Sequence, residues 1–505
     1  MISNDNISNR WTFLIFIGLG LSSCLGFSPF NFFFITLFNF AISIYLLQKS
    51  KDEKKAFFLG FYFGIGYHLA TLYWIAMSFK VAEKGGLFLG FIAVLFLSSF
   101  LALLHGICFY LIKYLSKDLK NFSSALSAVF FLSIFDWIKG NIFWGFPWTP
   151  LSSIWSFNTF TLYPFSIIGT WGYSMVSFFI VLGIYLLLNK SKLSLFFFMP
   201  YLLIIFSILL PLNKKGSRVE EIKVRLVQPN IKQSEKWKLS MIKKNMNKLF
   251  DLSLLKGIEN IDMVVWPETA VPFDINSDSI FSKVFYKKIE NFKSIVFGFI
   301  RKERIENKEQ LYNSLYFQNS KQDYFLIHDK TKLVPFGEYN PFNRFSGIKK
   351  LTSGSTDFQQ GEIINTIRIT ENIFALPLIC YEVIFPELPK KEKNHYNLLI
   401  NITNDGWYGN TTGPYQHLAL SRIRAVKEGT VLIRVANTGI SAIINPSGEI
   451  ISKLDLDSEG ILDKKIELFV IKTFYKKHGE AFFYLSIFLI GLILVILYFK
   501  ERQEN

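Results

Sequence analysis

The sequence predicts a helical membrane bundle of about eight spans, with a layered α/β domain inserted before the last span. Three observations predict it. Half of the 505 residues are hydrophobic, 55 of them Phe, and they gather in long runs almost free of charge. After a polar linker at 213–220 the periodicity changes, and short β-branched runs alternate with amphipathic helical stretches. Basic residues collect in every second loop between the apolar runs.

The apolar runs lie at about 11–27, 30–47, 56–79, 86–112, 122–138, 163–189, 193–212 and 481–499. The first does not read as a cleavable signal, because only Arg10 precedes it and a second run follows within a few residues. With the amino terminus inside, the inner segments carry 12 Lys and Arg residues. The outer short loops carry 3, namely Lys80, Lys84 and Lys139. This asymmetry puts 1–213 in a seven-span membrane domain, 214–479 outside and 480–505 in a final span and cytoplasmic tail. In a bacterium, that places the domain on the periplasmic face of the inner membrane. The net charge of +16 fits topology and affinity for anionic lipid. No zinc-finger spacing or RNA-binding aromatic signature supports a nucleic-acid partner.

Within the spans, His68 and His105 read as hydrogen-bonded packing residues rather than ligands. Asp136 and Lys139 fall near the outer end of the fifth span, where burial is not required. The loop at 140–153, with Trp144, Phe146, Pro147 and Trp148, reads as an interfacial aromatic belt, and a lipid-binding mouth is its functional alternative.

In the second half, strands are predicted at 224–227, 262–266, 294–299, 313–318, 323–328, 373–379, 397–401, 431–435 and 441–445. Helices are predicted at 235–255, 281–290 and 413–427. Polar residues stand at the ends of three strands. Glu268 follows the strand at 262–266 and a proline, which suits a partly desolvated proton acceptor, or simply a helix cap. Lys330 follows the strand at 323–328, with Glu338 beyond a Phe-Gly turn. A buried lysine there stabilises an oxyanion, although Lys330 and Lys332 read equally well as solvated charges. Cys380 follows the strand at 373–379, with Tyr381 and Glu382 next. Cys24 and Cys108 lie in apolar runs, so Cys380 is the one thiol expected to face water. Taken alone it is a small buried residue; with a base nearby it is a nucleophile, and the Tyr381 N–H is an oxyanion donor. His328, His395 and His417 sit in no obvious pairing motif. One such thiol and scattered histidines match no zinc spacing, so no metal or cofactor is expected. The stretch at 352–362, with Gly354 and Ser355, reads as a lid or a surface loop.

A strand-end Glu, then Lys, then Cys resembles the nitrilase superfamily. Trp266-Pro267-Glu268-Thr269, Lys330 with Leu333-Val334-Pro335-Phe336-Gly337-Glu338-Tyr339, and Ile379-Cys380-Tyr381-Glu382 are similar to motifs of the bacterial apolipoprotein N-acyltransferase family. So are Thr403-Asn404-Asp405-Gly406-Trp407-Tyr408-Gly409, Gly413-Pro414-Tyr415-Gln416-His417, Arg424-Ala425 and Asn437-Thr438-Gly439. Phe146-Pro147-Trp148, Gln228-Pro229-Asn230-Ile231 and Trp237 extend the likeness over nearly the whole chain. The resemblance implies an αββα sandwich on a membrane bundle and a ping-pong acyl transfer. The acyl donor would be a phospholipid, typically phosphatidylethanolamine, and the acceptor the amine of a diacylglyceryl-cysteine apolipoprotein. It implies Cys380 as nucleophile, Glu268 as base, Lys330 as oxyanion partner and Glu338 as its orienting carboxylate. Tyr381 and Glu382 would shape the pocket, and Trp237 would sit on a mobile arm over it.

Two rivals stand beside this reading. A membrane-anchored amidase would share Glu268, Lys330 and Cys380 but needs one anchor. A non-enzymatic receptor would be free to lose one of the three, and none is missing.

Overall fold

The computed structural model describes residues 9–116, 118–142, 144–209, 216–275, 279–306, 308–320, 324–341, 356–388 and 396–504. The chain forms two units. One holds Met1–Ala76, Phe88–Leu212 and His478–Asn505, and the other Met77–Leu87 and Asn213–Lys477.

The first unit is helical because its runs are apolar on every side. Its elements are α1 (Asn9–Ser22), α2 (Phe33–Gln48), α3 (Glu53–Leu72), α5 (Gly86–Leu115), α6 (Phe122–Asn141), α7 (Thr159–Leu162), α8 (Phe165–Leu188) and α9 (Leu193–Leu209), while α4 (Ile75–Val81) starts in this unit and has its remaining residues, from Met77 on, in the other. The helix α15 (Ala481–Glu504), near the carboxy terminus, belongs to it as well. The described residues of each of the eight apolar runs are mostly helical. Among the described residues, however, only four helices are long and apolar enough to cross a membrane: α5, α6, α8 and α15. The pair α3 and α4, bent by 47°, makes a fifth if counted as one span. The count of eight is therefore not reached. Helices α1 and α2 have 14 and 16 residues. At 1.5 Å per residue they are about 21 and 24 Å long, short of the ~30 Å hydrocarbon core.

Small residues let these helices approach closely. A Cβ on Gly66 of α3 would stand 2.2 Å from the Ile17 carbonyl of α1, and one on Gly20 would stand 2.1 Å from the Phe63 carbonyl. Helix α8 breaks at Gly169, whose φ is 70°. The buried Glu480 carboxylate accepts the freed N–H groups of Thr170 at 2.9 Å and Trp171 at 3.1 Å, capping the second half of the helix.

Two expectations for polar residues here need correction. Asp136 and Lys139 are buried, paired at 2.9 Å. Lys139 Nζ also donates to the Thr149 carbonyl at 2.7 Å, and Asp136 accepts the Leu151 N–H at 3.0 Å. The pair pins the turn after α6, and this is why it is drawn inside. Among the described residues, neither ring nitrogen of His68 has a hydrogen-bond partner, and Nδ1 of His105 has none either. The two rings pack edge to face with centroids 5.1 Å apart. In the aromatic loop Trp148 is buried against Trp74, with ring centroids 4.5 Å apart, while Trp144 is exposed. Of the two tryptophans, Trp144 is the one that fits a belt role.

The second unit contains two six-stranded sheets. Its elements are β1 (Ser217–Gln228), α10 (Gln233–Lys236), α11 (Leu239–Ser253), β2 (Met263–Val265), α12 (Ile280–Ile289), β3 (Ser294–Ile305), β4 (Lys308–Asn319), β5 (Tyr324–Asp329), β6 (Ile367–Arg368), β7 (Phe374–Ile379), β8 (Leu398–Thr403), α13 (Gly413–Glu428), β9 (Val431–Ala436), β10 (Ser441–Ile444), β11 (Ile450–Leu454), β12 (Gly460–Val470) and α14 (Phe474–His478). The sheet orders are β12-β1-β2-β3-β4-β5 and β11-β10-β9-β8-β7-β6. The period of two decides what each strand buries. Val224, Leu226, Met263, Val265 and Val296 meet Ile379, Leu398, Ile400, Ile402, Ile433 and Val435 in the core between the sheets. The alternate residues Val227, Val264, Ile295, Phe297 and Phe299 face outward beneath Leu249 and Phe250 of α11 and Phe285 of α12. Helix α13 packs on β9 of the other sheet. The order is helix, sheet, sheet, helix.

The predicted helix at 235–255 is divided. Trp237 and Lys238 separate α10 from α11, and Lys238 is extended at φ −75° and ψ 121°. Strands β6, β11 and β12 were not foreseen. β12 is rich in charge and pairs antiparallel with β1, where Asp463 meets the fully buried Arg225 at 2.6 Å.

Candidate active site

Three strand ends build the site. Glu268 lies three residues beyond β2, Lys330 directly follows β5, and Cys380 directly follows β7. The first two strands belong to one sheet and the third to the other. Each corner bends through backbone that side chains rarely adopt, with φ 46° at Thr269, 60° at Phe336 and 50° at Cys380. Gly298 on β3 leaves room for the first corner, since a Cβ there would stand 2.7 Å from the Glu268 Cα.

Lys330 is 1% exposed and sits between two carboxylates. Its Nζ is 3.4 Å from Glu268 Oε1 and 2.9 Å from Glu338 Oε2. Burial opposes the ammonium, but the charges of Glu338, Glu268 and Cys380 outweigh it and hold Lys330 protonated well above its ordinary range. Asn313 of β4 joins the two carboxylates, donating to Glu268 Oε1 at 2.8 Å and Glu338 Oε1 at 2.7 Å. Glu338 Oε2 also accepts the Val334 N–H at 2.8 Å.

Cys380 does not face water as expected; it is 6% exposed. It lies in the core between the sheets, with the Thr403 hydroxyl 3.2 Å from its sulfur. Burial, then the charge of Glu268, pushes the thiol up to about 12, while Lys330 and the Thr403 hydroxyl pull it down. Tyr381 is buried beside it, its phenol raised by burial. Glu382 does not reach the thiol. Its Oε1 accepts the N–H and hydroxyl of Thr331, both at 2.6 Å, and its Oε2 accepts the Ile379 N–H at 2.7 Å. His328 Nε2 adds a contact at 3.4 Å. Against the pull of burial, His328 and these donors hold Glu382 below the usual carboxylate range. It ties the residue after Lys330 to the residue before Cys380, and so fixes the distance between the two sheets' contributions.

Trp237 is partly exposed and follows Lys236, whose Nζ lies 5.8 Å over its ring. Lys236 itself was missed by sequence reasoning. It is buried and donates to the Glu268 carbonyl at 2.9 Å. Burial lowers it to about 8, against the charges of Glu268 and Cys380. Asn313, Asp405 and His417 were also not assigned to the site. His417 pairs with Asp405 at 2.9 Å and lies 3.3 Å from the Cys380 carbonyl, not from its sulfur. No cysteine–histidine dyad forms with this residue. His395, Gly354 and Ser355 lie outside the described residues.

The assembled chemistry is a buried thiol, carboxylates able to take its proton, and a fixed cation beside both. The family described as carbon-nitrogen hydrolase matches residues 223–475. The family described as apolipoprotein N-acyltransferase N-terminal domain matches residues 19–186. The apolipoprotein N-acyltransferase of Rickettsia prowazekii (strain Madrid E) is 32% identical over 516 aligned residues, covering 97% of this chain and 99% of that one. That of Rickettsia bellii (strain RML369-C) is 34% identical over 493 residues, covering 94% and 95%. That of Rhodopseudomonas palustris (strain ATCC BAA-98 / CGA009) is 29% identical over 513 residues, covering 96% and 94%. The likeness takes in the helical and the α/β parts together, and the chain belongs to the apolipoprotein N-acyltransferase family of the nitrilase superfamily.

Proposed function

We propose that the protein moves a fatty acyl chain from a phospholipid to the α-amino group of a diacylglyceryl-cysteine apolipoprotein, through a thioester on Cys380. The observation that carries this reading is the meeting of Glu268, Lys330 and Cys380 at three strand ends, with Lys330 held charged between two carboxylates. Glu268 takes the thiol proton. The thiolate attacks the ester carbonyl, the S–C bond forms, and the C–O bond breaks to release a lysophospholipid, whose alkoxide takes the proton back from Glu268. The amine then attacks the thioester, its proton passes to Glu268, the S–C bond breaks, and Glu268 returns that proton to the departing Cys380 sulfur. Lys330 and the Tyr381 N–H stabilise the oxyanion in both halves. Glu338 orients Lys330, and Trp237 covers the site. A base of this kind contributes roughly 10²–10⁴-fold. Phosphatidylethanolamine is the donor we expect.

Intact-mass spectrometry after incubation with phosphatidylethanolamine and no acceptor tests the mechanism. We expect a fatty-acyl mass on Cys380 that hydroxylamine removes. A folded protein that gains no mass from a competent lipid refutes the thioester and favours a small-amide hydrolase.

We also propose that 214–479 forms the catalytic domain and faces the periplasm, with the helices in the inner membrane. The supporting observation is the distribution of 12 basic residues against 3. A reporter fused after residue 213 should be active only in the periplasm; cytoplasmic activity overturns the orientation.

A further inference from the structure

Behind Cys380 lies a buried polar ring that the mechanism above leaves unused. Thr403, the last residue of β8, places Oγ1 3.2 Å from Cys380 Sγ and 3.3 Å from Asp405 Oδ1. Arg434 of β9 donates to Asp405 Oδ2 at 2.6 Å and to Asn401 Oδ1 at 2.7 Å. Asn401 donates to the Cys380 carbonyl at 3.3 Å, and His417 lies 3.3 Å from the same oxygen. Strand alternation assembles the ring. Ile400, Ile402, Ile433 and Val435 face the inter-sheet core, so Asn401, Thr403 and Arg434 project from the opposite faces of their strands, where α13 presents His417.

Asp405 is an acceptor only. Arg434, then His417, hold it below the usual carboxylate range in spite of its burial. A threonine hydroxyl has one hydrogen. It therefore serves either Asp405 or the sulfur at any moment. A thiol or thioester sulfur is a weak acceptor, and the hydrogen then belongs to Asp405. A thiolate is a charged acceptor and draws it away.

We propose that Thr403 is a further catalytic residue, whose hydroxyl turns from Asp405 to Cys380 Sγ whenever the sulfur carries charge. It thereby stabilises the thiolate both as nucleophile and as leaving group. This rests on the thioester reading. No bond is made or broken at Thr403: the thiol proton goes to Glu268 and the hydroxyl only reorients. The groups whose charge bears on the sulfur are Glu268, Lys330, Asp405, Lys236 and Tyr408, with His417 on the Cys380 carbonyl. Thr403 is neutral, so removing it changes none of these charges directly.

The test uses the full-length protein in detergent. Iodoacetamide alkylation of Cys380 is followed against pH by peptide mass mapping, for wild type, Thr403→Val, Thr403→Ser and Thr403→Ala. In Thr403→Val, and in Thr403→Ala if Val disturbs folding, we expect the alkylation midpoint to rise by about 1 pH unit. The rate at a given pH below it should drop about 10-fold, the size of a charge-assisted hydrogen bond. Thr403→Ser should stay near wild type. Release of the thioester to an amine should slow in the same order. Wild type that forms no thioester refutes the mechanism itself. Wild type that forms one, with an unchanged midpoint in both Val and Ala variants, overturns the role of Thr403 alone.

Discussion

Cys380→Ala should form no acyl-enzyme and release no lysophospholipid, with turnover down by on the order of 10⁴-fold or more, as for other removed nucleophiles. The remaining groups cannot substitute. Cys24 and Cys108 lie in the helical unit, and Lys330 is held protonated, without a free electron pair. The fold should survive. The substitution removes one sulfur, whose recorded side-chain bond is to Thr403, and alanine keeps the Cβ that the left-handed backbone at φ 50° already accepts. We expect a stability change of about 1 kcal/mol or less. The check is thioester yield by intact mass, paired with thermal unfolding in detergent. Wild-type turnover in a folded Cys380→Ala protein would falsify the nucleophile assignment.

Lys330→Met should reduce thioester yield by about 10²–10³-fold, the usual cost of one lost oxyanion partner. It should also destabilise the α/β unit by about 3–5 kcal/mol, because it leaves charge buried without its partner. The reason is local. Lys330 separates Glu268 from Glu338, and without it both carboxylates face each other across the Asn313 amide. A melting temperature and thioester yield equal to wild type would remove Lys330 from the site. Lys330→Arg is expected to restore the charge but not the activity, because a planar guanidinium does not fit a point-charge site between two carboxylates.

The positions of Glu268, Lys330 and Cys380 were readable because each follows a run that reads as a strand. A strand end shows in sequence as a change from β-branched residues to Pro, Gly or charge, and all three have that signal. Lys236 was not readable. Nothing in Gln233-Ser-Glu-Lys236 distinguishes a solvated lysine from a buried one, and only the approach of the Glu268 carbonyl draws it inside. Glu382 was placed in the pocket by what the family resemblance implies. The short helical turn after β7 instead aims it at Thr331 across the sheet interface. Strand β12 was missed because Asp463, Lys464, Lys465 and Glu467 mask its period; its charge is tolerated beside β1 because Arg225 needs Asp463.

By itself the sequence determined the helical and α/β halves, the strand ends at which Glu268, Lys330 and Cys380 stand, and the family resemblance. Hydrophobic periodicity and turn residues are local properties, and they survive in one dimension. Only the tertiary structure decided which helices reach spanning length and which charges are drawn inside, as with Asp136, Lys139 and Lys236. The same holds for the ring of Thr403, Asp405, His417 and Arg434 behind the thiol. Those outcomes depend on partners from 10 to over 30 residues away in the chain, and burial of a charge is set by whether such a partner arrives.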